Sequence, residues 1–93
     1  MKNNNVCNYF CKIHGRVQGV GYRAWTKKTA KKYSLTGWVK NCKDLSVECE
    51  VSGNINEIKM FIKDCNEGPL FAFVKEIYTE KRPHKNFKEF KIN

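Results

Sequence analysis

Thr36-Gly37-Trp38-Val39-Lys40-Asn41-Cys42 and Leu45-Ser46-Val47-Glu48-Cys49-Glu50-Val51 are two runs of period-two character with only Lys43-Asp44 between them. So short a gap predicts an antiparallel hairpin. The hairpin lies between two segments of a different period. Upstream, Tyr22, Thr26, Thr29, Ala30 and Tyr33 fall on one helical stripe opposite Lys27, Lys28, Lys31 and Lys32, which predicts a helix from about Tyr22 to Ser34. Downstream, Asn54 followed three residues on by Glu57 imitates a capping box. Ile55, Ile58, Phe61, Ile62 and Cys65 then recur at helical spacing until Gly68-Pro69 stops the second helix.

Further out, Val6 to His14 is rich in β formers, and Tyr9, Cys11 and Ile13 alternate with more polar positions, so this strand buries one face. Phe71 to Thr79 carries Val74 and Ile77 among β formers, and Phe87 to Ile92 supplies a short edge strand after the Arg82-Pro83-His84-Lys85 turn. The order strand, helix, strand, strand, helix, strand, plus a terminal strand, is the α+β, ferredoxin-like split β-α-β arrangement: an antiparallel sheet with two helices on one face. That architecture serves many functions and names none.

The chain has 93 residues, room for a single domain spanning 1–93, with the Asn-rich Met1–Asn5 expected as a flexible tail. Hydrophobic residues form 41% of it and aromatics 13%, enough for a core. Eighteen Lys and Arg against nine Asp and Glu leave a net charge of +9, spread along the chain, so the expected substrate or partner is an anion. No run approaches the roughly 18 to 20 apolar residues that span a bilayer, and the start leads into no apolar signal segment, so a cytoplasmic protein without membrane association is expected. Cys7, Cys11, Cys42, Cys49 and Cys65 are odd in number and lack Cys-x-x-Cys spacing, so they read mainly as small hydrophobes. Whether any pair, such as Cys7 with Cys49, is bridged stays open.

Gly15-Arg16-Val17-Gln18-Gly19-Val20-Gly21-Tyr22-Arg23 joins a strand end to a helix start. Glycines let a backbone curl with its N–H groups inward, a helix N-terminus adds positive potential, and Arg23 offers a planar fork suited to phosphate oxygens. Spacing alone leaves a ligand-free tight turn equally open. A Walker loop is absent, because Val20 stands where its second glycine belongs. Gly19-x-Gly21-x-x-Ala24 matches a dinucleotide fingerprint, yet Asp44, its acidic partner by spacing, falls in the hairpin turn and the chain is too short for a doubly wound sheet.

In these residues the chain resembles the acylphosphatase family, whose signature is Gly-Arg-Val-Gln-Gly-Val, one variable residue, an aromatic and Arg; Gly15 to Arg23 reproduce it with Tyr22 as the aromatic. Gly37-Trp38-Val39-Lys40-Asn41, Ser46-Val47-Glu48 and Gly68-Pro69 extend the likeness over about Tyr9 to Ile92. The resemblance implies hydrolysis of small acyl phosphates to a carboxylate and inorganic phosphate. It also implies a phosphate loop of Arg16, Val17, Gln18, Gly19, Val20, Gly21 and Tyr22, with Arg23 gripping the phosphoryl group and Asn41 orienting the water. No cofactor and no metal are expected; His14 and His84 stand alone. A free-standing monomeric enzyme is expected.

One departure is Leu45, at a turn position where the family usually has glycine. Either Leu45 accepts strain, or the turn shifts so that Asp44 turns left-handed. The alternative function is a basic nucleic-acid-binding module using a sheet surface of Trp38, Lys40, Lys12 and Arg16. Glu48 and Glu50 on the third strand count against it.

Overall fold

Alternation along the first strand sorts its side chains between two environments. In the computed structural model, which describes residues 6–93, Cys11 and Ile13 of β1 (Val6–Arg16) are wholly buried against the helices, while Phe10 and Lys12 face the other side of the sheet. The expected tail, Met1–Asn5, lies outside the described residues. Helix α1 (Tyr22–Lys32) buries Tyr22, Thr26, Thr29 and Ala30. It ends two residues short of expectation, with Lys31 and Lys32 complementing the helix dipole in its last turn.

Strands β2 (Thr36–Asn41) and β3 (Val47–Asn54) form the hairpin, and α2 (Ile55–Cys65) follows directly. Its cap is one-sided: Asn54 Oδ1 accepts the Asn56 N–H at 2.8 Å, and Glu57 adds negative charge to the first turn. Ile58, Phe61 and Cys65 are the buried stripe of α2. Strand β4 (Phe73–Arg82) pairs with β1, and β5 (Phe90–Ile92) is the short terminal strand.

The strand order is β4-β1-β3-β2-β5. The four main strands pair antiparallel as the sequence predicts. Strand β5 runs parallel to β2, so the sheet is mixed at that edge rather than antiparallel throughout. The return from β4 is long enough to bring the last strand alongside β2 in the same direction, a pairing that a tight hairpin does not allow. Helix α1 packs on β2 and β5, α2 on β3 and β1, and the helices touch each other, so both cover one face. All five cysteines are free; Cys7 lies opposite Gly53, and Cys11 lies opposite Cys49 within the core.

The hairpin turn is tighter in hydrogen bonding and longer in residues than a two-residue loop. Cys42 N–H donates to the Ser46 carbonyl at 2.9 Å and Leu45 N–H to the Cys42 carbonyl at 3.1 Å, with Leu45 at φ 74°. This is a turn closed by a left-handed residue, the place a glycine usually takes. Leu45, not Asp44, carries the positive φ. Asp44 instead accepts the Ser46 hydroxyl and the Ser46 N–H at 3.0 Å and faces Lys12 Nζ at 3.2 Å. Those contacts, the Ser46 hydroxyl first, hold its carboxyl well below the usual carboxylate range.

Leu45 is 67% exposed, so its side chain contributes little burial against the cost of its backbone. Leu45→Gly should therefore raise stability by about 0.5–1 kcal/mol in urea unfolding, relief of left-handed strain outweighing the added chain entropy. An unchanged or lowered midpoint would show that the strain is negligible.

Candidate active site

Just past the end of β1, Val17 is set in the core, only 1% exposed, and from that fixed point the chain curls through Gly19 (φ 76°) and Gly21 (φ 80°) into α1. Both glycines hold conformations that a Cβ disfavours, and at both the place a Cβ would fill is open space. Gly21 caps α1 with no side-chain hydrogen bond, and the first turn contains no acidic residue. The leading N–H groups of the helix therefore keep their positive end uncompensated.

Tyr22 begins the helix but turns inward. It is 1% exposed, and its hydroxyl donates to the Cys65 carbonyl at the end of α2 at 2.6 Å. Burial pushes its phenol far above the ordinary range, so it stays protonated. With Tyr22 anchored, the next residue, Arg23, is half-buried at the rim, and its guanidinium makes no ion pair among the described residues. Asn41 is the exposed last residue of β2.

These features meet in one cavity of about 240 Å³ lined by Val17, Gly19, Gly21, Tyr22, Arg23, Ala24, Asn41 and Ile92. Of the residues singled out in the sequence, Arg16, Gln18 and Val20 do not line it. Arg16 is exposed at the end of β1, beside Phe73 of β4. Gln18 points elsewhere. Its Nε2 donates to the Cys42 carbonyl at 2.8 Å and to the Ser46 carbonyl at 2.9 Å, tying the glycine loop to the base of the hairpin turn. Ala24 and Ile92 were not singled out. Ala24 follows Arg23 and was within reach of the motif, whereas Ile92 arrives through the parallel β2–β5 pairing, which no local pattern announces.

The opposite sheet face does not concentrate positive charge. Lys12 lies 3.1 Å and Lys40 3.9 Å from Glu48, and Arg82 stacks 4.0 Å over the Phe10 ring while facing the buried Glu50 carboxylate at 3.7 Å. A strand-binding surface needs unpaired cations along a track, and here they alternate with carboxylates. Neither His14 nor His84 lines the cavity, and no group of three or more potential metal ligands clusters among the described residues. No helix there is long and apolar enough to cross a membrane.

Comparison with known proteins places the chain in a family. The acylphosphatase family model matches residues 9–92. An acylphosphatase from Clostridium acetobutylicum is 41% identical over 85 residues, covering 90% of this chain and 93% of that protein. The solved acylphosphatase from Coxiella burnetii superposes with a TM-score of 0.93 at 30% identity, covering 96% of this chain and 94% of its own. That from Bacillus subtilis gives 0.91 at 34% identity, covering 94% and 98%.

Two hydrogen bonds through one amide make the Gln18 side chain a clamp on the loop. Gln18→Ala should lower stability by about 1–2 kcal/mol in urea unfolding, because the Cys42 and Ser46 carbonyls each lose one hydrogen bond and the loop loses its tie. A variant as stable as the parent would mean that the clamp is dispensable.

Proposed function

The chain belongs to the acylphosphatase family and is an enzyme hydrolysing acyl phosphates, and for that reaction we propose that Arg23 and the loop amides from Gln18 to Tyr22 bind the phosphoryl group while Asn41 orients the water. The observation that carries this reading is that one cavity collects an unpaired guanidinium, a glycine loop open to an anion and an amide side chain. The side chains of Val17 and Val20, packed in or against the core, and of Gln18, bound to the hairpin carbonyls, shape the loop.

The chemistry asks little of ionisable side chains. Water adds to phosphorus, the bond to the carboxylate oxygen breaks, and a carboxylate departs with the electron pair. Its conjugate acid has a pKa near about 4, so no general acid is needed. The protein must hold the phosphoryl group in line with the water and neutralise charge on its oxygens. A guanidinium fork and backbone N–H groups supply that neutralisation already organised. An amide neither gains nor loses a proton near neutrality, so Asn41 aims the water by hydrogen bonding and the water's proton passes to a phosphoryl oxygen. Each step is complete without a metal. The enzyme is proposed to act as a monomer.

Phosphate release from benzoyl phosphate should be robust and insensitive to a chelator; no release would remove the reading. Arg23→Ala and Arg23→Lys should both lower kcat/KM by about 100-fold or more, since a point charge cannot reproduce the bidentate fork. Near-normal activity in Arg23→Lys would reject the fork argument. Asn41→Ala should lower kcat by a similar factor while inorganic phosphate inhibits as before. Loss of phosphate inhibition in that variant would move Asn41 into the anion cradle.

A further inference from the structure

Parallel pairing sets Ile92 beside Val39, so the two side chains leave the sheet on the same face. Val39 is fully buried against the helices, which identifies that face, and Asn41, two residues on along β2, shares it. Asn93 N–H donates to the Val39 carbonyl at 2.8 Å and fastens the end of β5 at this place. Ile92 remains 42% exposed, and among the exposed large apolar side chains of the described residues it alone lines the cavity.

Displacement at phosphorus is in line: the attacking oxygen and the departing carboxylate oxygen occupy opposite sides. With the water held by Asn41, the neighbour of Asn41 on the same sheet face stands on the nucleophile's side and not on the acyl side. We infer that Ile92 walls the seat of the attacking water and makes the enzyme select water over larger oxygen nucleophiles, an inference that rests on the role proposed for Asn41. An apolar wall offers the water no competing hydrogen bond, which leaves Asn41 and the phosphoryl oxygens to orient it. Its branched side chain also takes up the room that a carbon attached to the attacking oxygen would need.

The alternative nucleophile that tests this is methanol. Methanol oxygen bonds to phosphorus, the bond from phosphorus to the carboxylate oxygen breaks, the carboxylate leaves with the electron pair, and the methanol proton passes to a phosphoryl oxygen. The product is methyl phosphate instead of inorganic phosphate. In dilute aqueous methanol with benzoyl phosphate as substrate, ³¹P NMR reads the ratio of the two products, which is internal to each turnover and independent of how much enzyme is folded. The parent should give almost only inorganic phosphate. Ile92→Ala should raise the methyl phosphate share about 10-fold, the order of discrimination one or two methylenes provide in a pocket, while Ile92→Val stays close to the parent. Inhibition by inorganic phosphate should be unchanged in both.

An unchanged product ratio in Ile92→Ala would overturn the inference and leave the hydrolytic function standing. So would a ratio that holds while KM for benzoyl phosphate rises and KM for acetyl phosphate does not, because Ile92 would then face the acyl group. Absence of turnover in the parent would overturn the functional reading and this inference together.

Discussion

The hydroxyl of Tyr22, donating to the Cys65 carbonyl at 2.6 Å, is the constraint from which the site follows. It joins the first residue of one helix to the last residue of the other. The ring lies so close to Gly68 that a Cβ there would come within 2.7 Å of it, and it sits 5.4 Å from the Trp25 ring. Such a contact is worth only about 1 kcal/mol net as a hydrogen bond, but the buried ring adds its apolar area. Its larger effect is directional. Once Tyr22 points inward, helical geometry turns Arg23 toward the rim, and the glycine loop must close the distance from Val17 in the four residues that remain.

Much of the fold is legible locally because each element buries one periodic face. The stripe Tyr22, Thr26, Thr29, Ala30 lies inward as its spacing predicts, and so do Ile58, Phe61 and Cys65. What periodicity cannot carry is the identity of the partner across a buried face. The parallel seating of β5, and with it Ile92, depends on where a three-residue strand finds an open edge. The hairpin is legible as a hairpin, yet its turn enlists Leu45 in a conformation that leucine residues rarely adopt, because the strand register needs one more residue than the gap suggests.

The site shows the same division. Residues of the motif from Gly15 to Arg23 meet Asn41, from a distant strand end, in one cavity. Within the motif, however, similar prominence conceals different work. Val17 and Tyr22 are anchors in the core, Gln18 spends both amide hydrogens on hairpin carbonyls, and Gly19 and Gly21 leave the open space. A spacing pattern records that residues are needed together, while the side on which each one points is decided by packing.

The tie from Gln18 to the Cys42 and Ser46 carbonyls joins two parts that belong to different segments of the chain. Cys42 directly follows Asn41, so the clamp grips the backbone beside the amide side chain at one wall and the glycine loop at the other. When the sheet twists or the hairpin tip swings in thermal motion, both walls are carried in the same direction. The two hydrogen bonds thereby span the gap between the strand end that carries Asn41 and the glycine loop. Such a tie resists widening of that gap while leaving the domain free to fluctuate as a whole.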